Sequence, residues 1–416
     1  METKFDNLLD SVVDTHKSGK QDDMRKAEIE LMSNLASDKE LRGWAKTFQP
    51  NLEYNSQYFA HPTGSKHIAI VAYATPSVPA WDPDSTDNGL AGSEEAIVYV
   101  SQELVKRGFR VTVYANPPDK SIWSLKGMNP RYVNIGQYVK DSEEIHIGIL
   151  WRRTDFSSAK NKCDRVYFWP HDSPTNTQLD TTGLDGIFYL SKHHRSQFLA
   201  IQPGLDKIPY VISGNGIILS QFSKPNRSVN PYSCIYSSNY SRGLRMLLDI
   251  WPDVHKAYPN ATLDIYYGRE VWGTMTTVDL NKLIADIEIL KTKGVMEKGK
   301  VGHEELAKAM CSSSLLTYPC NTETETYCIT VVKAQAAGCI PVTTRIGALA
   351  ETVHAEARTI VKAEKEAYKT LLLDTMKYIK ETKDSVIDEE RKKYIDFASG
   401  MTWSAVVDKW FELITK

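Results

Sequence analysis

From residue 67 onward the chain alternates short, continuously apolar runs with longer amphipathic ones. HIAIVAYA (67–74), VTVYA (111–115), IHIGILW (145–151), DRVYFW (164–169), GIFYLS (186–191) and PYVISG (209–214) have strand length. They lack the alternation of a sheet with one wet face, and segment 93–108 between them has helical character and ends at a glycine. That combination predicts parallel strands covered on both faces. A second series runs through SCIYSS (233–238), LDIYYG (263–268), SSLLTYP (313–319) and IPVTT (340–344). Helices are predicted near 243–256, 278–293 and 327–337, and the chain closes in further helical segments. Between the two series, Gln221–Tyr232 is polar and rich in turn formers, which marks a linker.

Residues 1–60 have a different pattern. Phe5, Leu8, Leu9, Val12 and Val13 recur on one helical face, and Met24, Ala27, Leu31 and Leu35 repeat it. Ser37-Asp38-Lys39-Glu40 has capping-box spacing ahead of Leu41 and Trp44. The predicted organisation is α/β: a helical leader (1–60), then two doubly wound Rossmann-like domains (61–222 and 223–400) facing a cleft, then a last helix (401–416). In such sheets ligands bind beyond the carboxyl ends of the strands, so the strand-to-helix loops carry the chemistry.

Composition narrows the function. The 416 residues suit two domains, and 42% hydrophobic with 25% charged residues is the balance of a water-soluble protein. A net charge of −2 lacks the basic excess of a sequence-independent nucleic-acid binder. No apolar stretch approaches the roughly 18 residues of a membrane span. The first residues are acidic (Glu2, Asp6, Asp10) without a signal core, so a cytoplasmic location is expected. The six cysteines form no C-x-x-C pair and read as free, buried thiols of a reducing compartment.

Four loops hold candidate chemistry. In loop 75–95, Gly89 and Gly92 let backbone approach a ligand, and Ser93 is a candidate N-cap of an anion-attracting helix start. Asp82 and Asp84 are a possible metal pair, but the proline between them hinders convergence, and no metal site is expected. His171 follows an apolar strand and is either catalytic or a structural histidine. In SSNYSRGL (237–244), Ser238, Arg242 and Gly243 meet a helix start, and the guanidinium suits a diphosphate. The alternative for Arg242 is a solvated side chain. In YPCNTETETYCITVVKAQAAGCIPVTT (318–344), Glu325 stands where a loop enters a helix. It can accept sugar hydroxyls while the amides of Thr326, Tyr327 and Cys328 donate, with Ile329 next along. Alternatively it complements the helix dipole.

Together these motifs, spread over residues 67–416, resemble the retaining GT-B-fold glycosyltransferases of family 4. That family's second domain carries a glutamate, seven residues, a second glutamate, and an alanine- and glycine-rich tail. Glu325 matches the first glutamate, and Ala334, Ala336, Gly338, Pro341 and Val342 match the tail. Lys333 occupies the second position, which in the family accepts hydrogen bonds from the nucleotide ribose. An ammonium accepts none. Gly89, Gly92 and Glu94 resemble the family's glycine loop, His171 the histidine facing the donor sugar, and Asn215-Gly216-Ile217 the turn before the linker. Arg242-Gly243 resembles the diphosphate-binding step, Gly302 through Leu306 the loop near the base, and Thr402-Trp403 the start of a helix crossing back to the first domain.

The resemblance implies a cofactor-free, metal-independent enzyme. It would move a hexose-type sugar from a UDP- or GDP-linked donor to a glycan or glycoprotein hydroxyl, with retention. The departing phosphate would serve as the base, leaving no dedicated protein base to find. The alternatives are a nucleotide-sugar-binding protein whose Lys333 marks decay, and a nucleotide-sugar 2-epimerase.

Overall fold

The computed structural model describes residues 2–46, 66–73, 78–154, 161–222, 230–269 and 275–415. Two parallel sheets form its core. The first contains β1 (His67–Ala72), β2 (Arg110–Ala115), β3 (Arg131–Asn134), β4 (Ile145–Trp151), β5 (Cys163–Trp169), β6 (Gly186–Tyr189) and β7 (Tyr210–Ile212), in the order β3-β2-β1-β4-β5-β6-β7. The second contains β8 (Ser233–Ser237), β9 (Thr262–Tyr266), β10 (Val295–Gly299), β11 (Leu315–Tyr318), β12 (Ile340–Thr344) and β13 (Arg358–Ile360), in the order β10-β9-β8-β11-β12-β13. Both orders reverse direction beside their first strand, between β1 and β4 and between β8 and β11. Loops leaving adjacent strands diverge there and open a crevice. The two-domain α/β reading therefore holds.

Burial explains why the central strands were readable. Every residue of β1, β11 and β12 is buried, as a strand covered by helices on both faces must be. The strands absent from the sequence reading are β3, β10 and β13. β10 and β13 lie at the edges of the second sheet, half-exposed and mixed in polarity, so neither periodicity nor apolar run marks them.

Two caps differ from expectation. The helix Lys39–Ala45 is capped by Asp38, whose side chain accepts from Leu41 N at 2.9 Å, because Ser37 still belongs to the preceding helix. The helix Gly92–Lys106 begins two residues earlier than a Ser93 cap would place it, with Ala91 as its N-cap, so Ser93 lies in the first turn.

The leader forms the helices Glu2–Ser18, Gln21–Ser37 and Lys39–Ala45, with Phe5, Val12, Leu31, Leu35 and Leu41 buried among them. It packs on the first domain beside the cleft. Arg42 is the anchor: it donates to Asp84 Oδ1 at 2.9 Å and to the Leu35 carbonyl at 2.8 Å, and lies over the Trp123 ring. Lys46 and Lys39 add ion pairs to Asp84 and Asp87. Residues 47–60 of the expected leader, 223–229 of the expected linker, and 74–77 at the start of the glycine loop lie outside the described residues.

The last helix, Trp403–Ile414, follows the second domain but packs on the first. Trp410 stacks on Phe188 at 4.2 Å between centroids, and Arg107 pairs with Asp408 at 2.6 Å. Ile217 N donates to the Met401 carbonyl at 2.9 Å, tying this crossing to the end of the first domain.

Candidate active site

A cleft of about 800 Å³ lies between the two sheets, at both reversal points. Its walls include the loops leaving β1, β4, β5, β8, β9, β10 and β11. Among the sequence-predicted residues, Gly89, Gly92, His171, Ser238, Arg242, Glu325, Thr326, Tyr327, Cys328, Ile329 and Lys333 line it. Gly243 and Gly302 stand behind the wall. A Cβ on Gly243, where φ is +95°, would meet the Pro319 carbonyl oxygen at 1.9 Å, so this glycine lets the loops leaving β8 and β11 abut. A Cβ on Gly302 would lie 2.3 Å from the Asp87 carbonyl oxygen, and one on Gly89 would lie 2.6 Å from that of Val301. These two glycines bring the domains into backbone contact, a role that adds to the expected one of admitting a ligand.

The second-domain wall carries opposite charges side by side. Glu325 Oε2 accepts from the Tyr318 hydroxyl at 2.8 Å, and Arg242 Nη1 lies 3.8 Å from the same oxygen. The helix opens only at Ile329, with Cys328 as N-cap at φ +63°. Glu325 therefore sits before the helix, anchored by a tyrosine and facing a guanidinium, rather than in a first turn complementing the dipole. Left-handed backbone costs a non-glycine residue about 1–2 kcal/mol. Arg152, Tyr267 and Cys328 all adopt positive φ, and all three line the cleft. Such concentration is typical of functional sites.

On the first-domain wall, the His171 ring is wedged between Trp151 and Trp169, with centroids 5.7 and 4.5 Å away. Its Nε2 is buried and takes no hydrogen bond among the described residues. Burial, then the charge of Arg152, holds its pKa well below the usual imidazole range, so the ring is neutral at pH 7. Arg152 was not singled out from sequence, although it follows β4 as His171 follows β5. It donates to Glu94 Oε1 at 3.1 Å and lies 3.2 Å from Asp172 Oδ2. Burial raises the Glu94 carboxyl, and Arg152 opposes that rise. Asp172 thus faces Arg152.

The other acidic candidates are committed elsewhere. Asp82 Oδ2 accepts from Ser121 Oγ at 2.6 Å and Oδ1 from Asp84 N at 3.0 Å, while Asp84 is held by Arg42 and Lys46. These carboxylates anchor the loop and the leader. All six cysteines are free, and five of them are buried.

The domains are in contact along both rims. Glu351 of the second domain accepts from Lys192 N and His193 N, both at 2.8 Å, at the start of the helix Lys192–Ile201 of the first. Ser191 Oγ donates to the Thr326 carbonyl at 2.8 Å. Deeper in, Lys333 Nζ donates to Glu95 Oε2 at 2.7 Å, joining the helix Ile329–Ala336 to the helix Gly92–Lys106. Glu95 had no sequence signal beyond that of an ordinary acidic first-turn residue.

Residues 232–377 match the family described as Glycosyl transferases group 1. No curated protein matches the sequence significantly. Among solved structures, a glycosyltransferase from Rickettsia africae aligns with a TM-score of 0.62 at 13% identity, over 85% of this chain and 100% of that one. The Anabaena protein HepE, in complex with UDP and glucose, aligns at 0.61 and 12% identity over 85% and 100%. Sucrose-phosphate synthase from Thermosynechococcus elongatus aligns at 0.61 and 12% over 84% and 98%. The chain has the two-domain GT-B fold, and residues 232–377 of its second domain are similar to the group 1 glycosyl transferases.

Proposed function

We propose that the chain is a retaining, metal-independent glycosyltransferase. It binds a UDP- or GDP-linked sugar in the cleft and transfers a hexose-type sugar to a glycan or glycoprotein hydroxyl. The observation that carries this is the meeting of Arg242, Glu325 and the neutral His171 on the walls of one cleft at both reversal points. The HepE structure, with UDP and glucose bound in the same fold, supports a nucleotide and a sugar as ligands.

In this mechanism the donor diphosphate lies against Arg242 and the start of the helix Gly92–Lys106. Fixed positive charge there stabilises the leaving group as the anomeric bond breaks. Glu325, already held by Tyr318, accepts hydroxyls of the donor sugar. His171 lies beside the reacting face as a neutral imidazole, adding no positive charge to an oxocarbenium-like transition state. The departing phosphate oxygen takes the acceptor proton on the same face, which gives retention. The contacts between the domains exclude water and so suppress donor hydrolysis.

Calorimetry with UDP, GDP and ADP, followed by the matching nucleotide sugars, tests this reading. One of the three is expected to bind at micromolar concentrations, and its sugar derivative to be turned over equally in excess EDTA and in added manganese. No binding by any of them removes the reading. Activity lost on chelation and restored by metal removes its metal independence.

A further inference from the structure

The leader presents three cations on one face. Lys39, Arg42 and Lys46 recur three and four positions apart along the helix Lys39–Ala45 and its C-cap. All three meet carboxylates of the 3-10 turn Pro83–Asn88, the part of the glycine loop just before Gly89. Arg42 Nε donates to Asp84 Oδ1 at 2.9 Å, Lys46 Nζ lies 3.2 Å from Asp84 Oδ2, and Lys39 Nζ lies 2.7 Å from Asp87 Oδ1. The three links are unequal. Lys39 and Lys46 are exposed, and exposed pairs contribute little. Arg42 and Asp84 are largely buried, with side chains 10% and 16% exposed. Arg42 Nη1 also donates to the carbonyls of Leu35 and Ala36, at 2.8 and 3.1 Å, so the guanidinium is fixed from the leader's side. Burial would raise the Asp84 pKa, but Arg42 and Lys46 hold it below the usual carboxylate range, so both partners are charged at pH 7.

The second domain holds the same segment from another side. Gly302 abuts the Asp87 carbonyl and Gly89 abuts that of Val301, neither with room for a Cβ, and His303 Nε2 donates to the Leu90 carbonyl at 3.1 Å. Beyond the turn, Gly89, Leu90, Ala91 and Gly92 line the cleft. Gly92 opens the helix whose start faces the diphosphate in the proposed mechanism. Lys39, Arg42 and Lys46 do not line the cleft, so they act on it only through this segment. Gly89 has φ of +88°, and a stretch with two glycines loses more conformational freedom on ordering than other sequences do. A tether that orders the stretch beforehand removes that cost from ligand binding.

We propose that Arg42 of the leader is a positioning residue for the donor: through Asp84 it sets the glycine loop for the diphosphate, with Lys39 and Lys46 in support. This rests on the nucleotide-sugar reading above. The leader then contributes to nucleotide affinity without touching the nucleotide, because it fixes the backbone that does.

The test is calorimetry on the full chain with UDP, GDP and ADP, carried into the variants with whichever of them binds the wild type. Titration separates two roles. A residue that only stabilises the fold changes the fraction of competent molecules, read as stoichiometry, and leaves Kd alone. A positioning residue changes Kd at unchanged stoichiometry. Arg42→Gln is expected to weaken binding about fivefold or more, within the range of coupling through residues that touch no ligand. Arg42→Lys keeps a cation facing Asp84 and is expected to recover most of the lost affinity. Lys39→Gln/Lys46→Gln is run beside them, because both residues are exposed and their replacement does not threaten folding. It is expected to weaken binding about twofold to threefold at low salt, and less at high salt. Wild-type Kd in Arg42→Gln overturns the inference, whether stoichiometry is full or reduced, as does equal weakening in Arg42→Lys. Should Arg42→Gln fail to fold, the exposed double variant decides, and wild-type Kd in it at low salt overturns the inference. Failure of all three nucleotides to bind the wild type removes the nucleotide reading itself.

Discussion

Replacing Glu325 with glutamine probes the proposed chemistry most directly, because the structure separates its catalytic cost from its structural cost. Glu325 Oε2 accepts the Tyr318 hydroxyl at 2.8 Å, a bond that the amide oxygen of glutamine can retain. Arg242 stands 3.8 Å away with its side chain 28% exposed, so the lost ion pair contributes at most about 1 kcal/mol to stability. A sugar hydroxyl bonded to a charged acceptor is worth about 1.5–3 kcal/mol, and to a neutral one about 0.5–1.5 kcal/mol. The expected loss in kcat/KM is therefore about 1–2 kcal/mol, or roughly 5–30-fold. Binding of the bare nucleoside diphosphate, which has no sugar to hold, should change by less than about threefold. Release of nucleoside diphosphate from the donor, followed with and without acceptor, measures the first quantity, and calorimetry the second. Glu325→Ala serves as contrast. It also strips the buried Tyr318 hydroxyl of its partner and should lower stability by about 1–3 kcal/mol in urea unfolding. Full transfer activity in Glu325→Gln, with a donor that the wild type uses, refutes the assignment.

Other perturbations reach the remaining parts. Arg242→Ala should weaken nucleoside diphosphate binding by about 1.5–3 kcal/mol, roughly 10–100-fold, with little change in melting temperature; unchanged affinity refutes its phosphate role. Arg42→Ala removes the anchor between leader and first domain and leaves Asp84 without its closest cation. It should cost about 2–3 kcal/mol in denaturant unfolding, and a cost below about 0.5 kcal/mol would show that the leader is held by other contacts. His194 is buried, and burial depresses its pKa to about 4, so the unfolded chain takes up its proton first as pH falls below about 6.5. Its share of stability is complete above that pH and is lost on acidification toward 4, about 1 kcal/mol by pH 5.5. His194→Gln should flatten the stability-against-pH curve by that amount between pH 7.5 and 5.5, and an unchanged slope contradicts this account.

The sequence alone determined the layout, because its strands are buried on both faces and a doubly buried strand must be apolar throughout. IHIGILW and IPVTT were readable to the residue as β4 and β12 for that reason. Position relative to those strands also placed His171, Arg242 and Glu325 on the cleft wall, since loops just beyond an apolar parallel strand are at the ligand-binding end of the sheet. Arg152 obeys the same rule after β4. The edge strands β10 and β13 were not legible, because edge positions are half wet and carry no uniform pattern. Pairings between the domains lay beyond any local signal. Nothing near Asp84 announces Arg42, and nothing near residues 192 and 193 announces the cap from Glu351. Lys333 shows the division most clearly. Its sequence context identified a position where a carboxylate was expected and an ammonium stands. Only the folded chain, by laying the helix Gly92–Lys106 against the helix Ile329–Ala336, showed that the carboxylate beside it belongs to Glu95 of the other domain. Local pattern encodes burial and backbone conformation, whereas a charge pair across 238 positions exists only where the tertiary structure lays two domains against each other.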